Sequence, residues 1–348
     1  MIFSNRNYTY LTKIIISILF LWAFIIEHAS ASMLDVIKNR GFIKCGVSTG
    51  VPGFSQPDSS GNWKGFDVDF CKAIAAAIFN NPSKVKYLPL STIERFIALQ
   101  SGDVDILSRN TTYTLSRNTS LHLSFHPITY YDGQGFLVKK KLNIKSALEL
   151  SDVSICTWSG TTDQLNASDY FKSHNIAYKI FAYDKEEEAI SAYEGDRCDV
   201  YTTDQSALYT SRLTLKKPDE HIILPEIISK EPLAPAVLEN DTQWINIISW
   251  VHFALVNAEE FGITKENVDK MLNSDEPAIK RFLGREPRSN LGSGLGLTED
   301  WAYRIIKSVG NYGEIFESNL GSGSPFKIPR NYNNLWKKGG LQYAPPVL

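Results

Sequence analysis

The chain lacks the short motifs that announce most hydrolytic and nucleotide chemistry. No H-E-x-x-H, P-loop or G-x-S-x-G occurs in its 348 residues. Those spacings would set zinc ligands on one helix face, cradle a phosphate or expose a nucleophilic serine. A glycine run in the tail, Gly292-x-Gly294-x-Gly296, follows no strand and so makes no dinucleotide turn. Histidine is sparse and scattered: His28, His122, His126, His174, His221 and His252. A surplus of one charge is also missing. With 36 basic and 38 acidic side chains the net charge is −2, which gives no basic field for nucleic acid or anionic lipid. Any binding function must rest on local groups.

Long hydrophobic runs are absent after the N-terminus; no later segment reaches the roughly 18 apolar residues of a membrane span. Residues 1–31 read as a secretory signal peptide. Arg6 and Lys13 give a positive start, Ile14 to Ile26 an apolar core, and Ala29-Ser30-Ala31 a cleavage site. The competing reading is an uncleaved anchor. The mature chain is expected to be exported and soluble. Cysteine is scarce as well: Cys45, Cys71, Cys156 and Cys198. No C-x-x-C and no neighbouring histidine supports a metal site, so no metal and no cofactor is expected. An even count in an exported chain favours disulfides, and four cysteines allow three connectivities. The positions favour Cys45–Cys71 and Cys156–Cys198, each within one structural unit.

What is present is an ordinary globular composition, 43% hydrophobic and 21% charged, long enough for two domains. Strands at Ile43–Val47, Val85–Leu88 and Asp105–Ser108 alternate with helices. One helix starts at Phe66, and another opens on the capping box Ser91-x-x-Glu94 and stops at Gly102. The order restarts near Ser151, with strands at Val153–Thr157, Tyr178–Phe181 and Asp199–Thr203 and a helix stopped by Gly195. This pattern argues for an α/β class with mainly parallel sheets. The DKEEE run at 184–188 reads as a solvated helix start. The chain crosses between units at Gly135–Lys139 and Ser229–Pro235, and the helix over Trp244–Phe261 completes the first unit. A further helix carries Trp301, Ile305, Ile306 and Val309.

The most informative stretch is ALQSGDVDILSRNTTYTLSR, Ala98 to Arg117, with a shorter echo in AYEGDRCDVYTTD, Ala192 to Asp204. Superposed, Asp105 falls on Asp199 and Asn110 on Asp204. Ligands of open parallel sheets bind at the carboxyl ends of strands, here Ser108–Thr112 and Thr202–Asp204. Arg117 can grip a carboxylate through two charge-assisted hydrogen bonds, and Asp204 across the cleft can hold an ammonium. Together they suit the groups common to all free amino acids. Against this, Arg117 can be a solvated charge and Asp204 a strand-end cap. Gly160-Thr161-Thr162 opens a helix where amides favour an anion, although plain N-capping explains it as well.

The segments GFDVDFCKAIA (65–75), ALQSGDVDILSRNTTYTLSR (98–117), FHPITYYDGQGFLV (125–138), SGTT (159–162) and RCDVYTTD (197–204) occur in an order that resembles the periplasmic amino-acid-binding proteins of ABC transporters. The cysteines, WAYRIIKSVGNYGEIFE (301–317) and GGLQYAPP (339–346) resemble the general L-amino-acid-binding branch. The resemblance implies a two-lobed type II fold, with two parallel or mixed sheets joined by a two-strand hinge. It places the first lobe at 32–135 and 233–287, the second lobe with the hinge strands at 136–232, and a C-terminal extension at 288–348. It implies that Arg117 grips the ligand carboxylate, Asp204 pairs with the ammonium, and Thr112, Thr161, Thr162 and the Asn110 backbone contact the ligand. Ser48 and Val51 stand where relatives selective for cationic amino acids carry an acid and an aromatic, which implies broad specificity. Trp158 can wall the side-chain pocket or belong to the core. The expected function is capture of free L-amino acids in the periplasm by a monomer that delivers them to an inner-membrane ABC permease. The alternatives are an exported enzyme of dehydratase type on the same fold and a sensory subunit.

Overall fold

The computed structural model describes residues 31–348; the expected signal peptide lies outside these but for Ala31. Two five-stranded sheets form the frame. In the first, β1 (Ile43–Ser48) lies between β4 (Val85–Leu90) and β5 (Ile106–Leu107), all parallel. A small hairpin of β2 (Gln56–Pro57) and β3 (Trp63–Lys64) separates β1 from the following helix. In the second sheet, β9 (Val153–Trp158) lies between β10 (Tyr178–Tyr183) and β11 (Val200–Asp204), again all parallel. Both β1 and β9 are buried at every position but the second, as central parallel strands are.

Each sheet is completed by a strand that arrives from the other. β6 (Leu123–Phe125) is the edge of the first sheet, and β14 (Ala236–Leu238) pairs antiparallel between it and β5. In the second sheet β8 (Gln134–Lys139) pairs antiparallel between β11 and β12 (His221–Ile223). The strands that cross are β7 (Tyr130–Asp132) and β13 (Glu231–Leu233), an antiparallel two-stranded ribbon. Gln134–Lys139 therefore belongs wholly to the second sheet, and the first crossing lies just before Gly135 rather than over Gly135–Lys139.

The repeated unit is visible in single hydrogen bonds. Asp105 accepts the backbone N–H of Lys44 on β1 at 2.7 Å, and Asp199 accepts that of Ser154 on β9 at 2.9 Å. Each aspartate also donates its own N–H to the same residue's carbonyl. The turn three residues earlier must be left-handed. Gly102 supplies it in the first unit at φ 76°, but Asp196, not Gly195, supplies it in the second at φ 59°. Aspartate tolerates this region where most side chains do not.

The core of the first lobe is the helix Phe66–Phe79, buried along most of its length. It packs against the helices Thr242–Glu260 and Trp301–Val309. Trp244 Nε1 donates to the Asp105 carbonyl at 3.0 Å, fixing the helix Thr242–Glu260 to the first sheet. The tail then returns to the ribbon. The Asn333 amide both accepts from the Tyr131 N–H at 2.7 Å and donates to its carbonyl at 3.0 Å, as a neighbouring strand would.

Cys45–Cys71 and Cys156–Cys198 are the two disulfides. They tie residues 26 and 42 apart, so loop closure in the unfolded chain is worth roughly 3–4 kcal/mol for each. Replacing Cys156 and Cys198 together by alanine should lower the unfolding free energy in urea by about that amount. An unchanged midpoint and slope would show that the bridge does not constrain the unfolded chain.

Candidate functional site

The two echoing strand ends meet. Between the sheets lies a cavity lined from the first lobe by Thr92, Arg95, Arg109, Asn110, Thr112 and Arg117. The second lobe supplies Trp158, Thr161, Thr162, Asp163, Thr203 and Asp204. The lobes are closed over it: Thr92 Oγ1 donates to the Ser159 carbonyl at 2.8 Å and Arg95 Nη2 to the Gly160 carbonyl at 3.3 Å. The cavity holds only about 20 Å³, so the lobes must part to admit a ligand.

Local structure aims each group. Thr114 caps the short helix Leu115–Thr119 by accepting the Arg117 N–H at 3.3 Å. The Arg117 side chain then turns back; Nη1 donates to the Thr112 carbonyl at 2.8 Å, and the guanidinium lies 5.4 Å from the Phe96 ring centroid. Asn110 sits at φ 33°, its N–H held by the Asp67 carboxyl at 2.8 Å. Asp67 stands in the first turn of the helix that opens at Gly65, where φ is 133° and a Cβ would lie 2.1 Å from the Phe54 carbonyl oxygen. Glycine is therefore required there, and the GFDVDF motif has a mechanical reason: it delivers Asp67 beneath the Asn110 loop. Asp204 ends β11 and begins the helix Gln205–Arg212.

Seven of the eight expected ligand residues line the cavity: Asn110, Thr112, Arg117, Trp158, Thr161, Thr162 and Asp204. Ser48 does not, and its assignment is corrected. Its hydroxyl is held by Ser55, with Oγ–Oγ at 2.6 Å, and accepts the Val51 N–H inside the loop after β1. Thr112 and Thr162 also depart from expectation. Their hydroxyls donate to the Glu231 carboxylate, at 2.6 and 2.9 Å, leaving only their oxygens as acceptors for anything in the cavity. Glu231, on β13, further accepts from Asn166 Nδ2 at 2.7 Å and Ser229 Oγ at 2.8 Å. It is 1% exposed and joins both lobes at the hinge. Sequence reasoning missed it, because an acid in the polar segment Ser229–Pro235 carries no local signal. The DKEEE run is likewise not wholly solvated: Glu186 is buried and accepts Ser211 Oγ at 2.7 Å.

The electrostatics are those of a site awaiting charge. Arginine ion pairs among the described residues are those of Arg40, Arg281, Arg304 and Arg330. The three cavity arginines have none. Burial lowers the Arg117 pKa, opposed by Glu231, Asp163 and Asp204. Asp204 is raised well above the usual carboxylate range by burial and by the nearby Asp132, Asp163 and Glu231. Its carboxyl accepts no hydrogen bond, unlike that of Glu231. Burial also pushes Asp67 and Asp163 to about 7 and Glu186 to about 8. A second and larger space, of about 1020 Å³, lies behind the hinge between β7, β13 and the tail, with Asp132, Lys230, Glu231 and Lys338 in its lining.

A family model, bacterial extracellular solute-binding proteins, family 3, matches residues 43–282. The chain belongs to this family. The general L-amino acid-binding periplasmic protein AapJ of Rhizobium johnstonii is 63% identical over 92% of this chain and 94% of its own length. The glutamate/glutamine/aspartate/asparagine-binding protein BztA of Rhodobacter capsulatus is 48% identical over 91% of this chain and 94% of its own. A periplasmic binding protein from Brucella ovis, solved with glutathione bound, superposes with a TM-score of 0.91. It shares 55% identity over 92% of this chain and all of that one. The two-lobed solute-binding fold is the one expected from the sequence.

A carboxyl whose folded pKa lies above its unfolded value binds more protons when folded, so stability falls as pH rises through that window. Asp67, Asp163 and Glu186 place the window up to about 8. Burial lowers His252 to about 4, so it acts in the opposite sense only below the ordinary histidine pKa of about 6.5. The ligand-free protein should therefore lose thermal stability between about pH 6.5 and 8. Melting temperatures rising with pH in that interval would contradict the buried-acid account.

Proposed function

We propose that the protein captures free L-amino acids and hands them to an ABC permease. The observation that carries this reading is the pair Arg117 and Asp204. Opposite charges from opposite lobes line one small cavity, and neither has an ionic partner among the described residues. Arg117 suits the α-carboxylate, with its remaining N–H groups free of the Thr112 carbonyl. Asp204, with the oxygens of Thr112 and Thr162, suits the α-ammonium. The Asn110 backbone and Thr161 line the remaining wall.

Capture proceeds by hinge closure. A ligand touching both lobes stabilises the closed state by its differential affinity for it. In this reading the mature chain begins after residue 31, is exported to the periplasm and acts as a monomer, with lobes near the boundaries expected from the sequence. It binds without turnover. Asp204 is assigned to the ligand ammonium in this reading and Glu231 is held by four donors at the hinge. Recovery of the ligand unchanged by mass spectrometry is expected.

Two measurements test the charge pairing. Arg117→Ala should weaken binding of every amino acid in a calorimetric panel by about 100-fold or more, since it strands a buried carboxylate. Affinities within threefold of the parent would sink the assignment. Because an ammonium beside Asp204 favours the ionised carboxyl, binding at pH 6.5 should release protons and affinity should rise with pH. Calorimetry in buffers of different ionisation enthalpy reads the sign directly; proton uptake would place the ammonium elsewhere.

A further inference from the structure

The β7–β13 ribbon stands between two spaces. On one side Glu231 holds Thr112 and Thr162 of the cleft lining; on the other, Tyr130 to Asp132 line the space of about 1020 Å³. That rear space has two walls. One is the tail from Ile328 to Leu341, braced on the first-lobe helix Thr242–Glu260. Arg330 pairs with Glu259 at 2.6 and 3.0 Å, and Trp336 Nε1 donates to Glu260 at 2.9 Å. The other wall belongs to the second lobe: Gln205 and Tyr209 on the helix Gln205–Arg212, and Ile227 ahead of β13. The tail's bonds run to the first lobe, to the ribbon or within the tail; among the described residues none crosses to the second lobe. Yet apolar surface faces the gap from both walls: Ile227 is 54% exposed, Tyr332 60% and Leu341 49%. Ile227 stands at the pivot itself, since a Cβ on Gly133 would lie 2.3 Å from its Cγ2.

We propose that the tail is a latch for the open state: when the lobes part, Tyr332 and Leu341 meet Ile227 and Tyr209 behind the hinge, and this contact stabilises the ligand-free form. Lever geometry gives the direction. Walls on opposite sides of a pivot move in opposite senses, so a rotation that widens the cleft narrows the space behind it. In the closed form the cleft keeps about 20 Å³ while the rear space is wide. Opening therefore removes the apolar groups of both walls from water. Tyr332 and Leu341 move together, because the Leu341 N–H donates to the Tyr332 carbonyl at 2.7 Å. The latch sets affinity without touching the ligand. Stabilising the open form lowers the fraction of closed, binding-competent protein, and the apparent affinity falls with that fraction. The family match ends at residue 282, so the latch is carried by a segment added to the shared two-lobed frame.

The test compares the mature protein with the paired variant Tyr332→Ser and Leu341→Ser, with Ile227→Ser, and with all three changes together. Small-angle scattering is read without ligand, and calorimetry with L-glutamate and L-alanine. The paired tail variant should lower the ligand-free radius of gyration and tighten both probes by one common factor, about fivefold. Ile227→Ser should act in the same direction, and the triple variant should gain less than the product of the two, because the residues share one contact. Thermal melts report folding, and the two walls give independent variants. Unchanged scattering, weaker binding, gains that multiply in full, or factors that differ between the probes would each overturn the latch. The binding arm rests on the amino-acid reading of the cleft. If the parent binds neither probe, that reading fails, while the ligand-free scattering still decides the latch.

Discussion

The fold is organised around one constraint: charges of both signs are buried at the junction of two lobes, where water cannot satisfy them. Two solutions coexist within the junction. Glu231 is satisfied internally, taking hydrogen bonds from Thr112 of one lobe, Thr162 and Asn166 of the other, and Ser229 beside it. A carboxylate held by several donors is fixed in place. Arg117 and Asp204 are left without an ionic partner among the described residues, and Arg117 keeps a hydrogen bond to the Thr112 carbonyl. The hinge is thus made of a finished electrostatic clasp, and the cleft of an unfinished one. Buried charge without a partner costs more than exposed charge. The ligand-free protein therefore gains by parting its lobes and letting water reach Arg117 and Asp204, while the Glu231 clasp limits how far the strands beside it can separate.

The same logic explains the helices behind the site. Asp67 is carried under the Asn110 loop by a helix that starts at a glycine no other residue can replace, and Tyr131 of the ribbon is clasped by Asn333 from the tail. These interactions hold the strand ends of the first lobe and the crossing strand as one body. The Cys45–Cys71 bridge ties β1 to the Phe66–Phe79 helix within that body, and Cys156–Cys198 performs the equivalent task in the second.

Much of this was legible in the amino-acid order, for identifiable reasons. Strand and helix positions follow from periodicity, and the internal echo placed Asp105 against Asp199. The structure shows the two aspartates making the same bonds to the first strand of each sheet. That Arg117 and Asp204 line one cavity follows from their place at or just beyond the strand ends of the two sheets. Ser48, Glu186, Glu231 and Arg95 were misread or missed for a shared reason. Whether a polar side chain faces a ligand, a neighbouring hydroxyl or bulk water depends on partners distant in sequence. Ser48 is consumed by Ser55 seven residues on, whereas Glu231 is satisfied by groups up to 119 residues away. Composition cannot report such pairings, and a buried Glu186 inside an acidic run looks like its solvated neighbours.

The misread residues also show how specificity and closure share parts. Thr112 and Thr162 give their protons to Glu231 and keep their oxygens toward the cavity, so the hydroxyls that fix the hinge angle also present acceptors to a ligand cation. Arg95 bonds to the Gly160 carbonyl across the cleft. A ligand that satisfies these groups therefore strengthens contacts that already hold the lobes together, and one that does not must weaken them. If the cavity groups bind the ligand as proposed, affinity and closure are a single free energy, because the atoms that would recognise it include atoms that bridge the lobes.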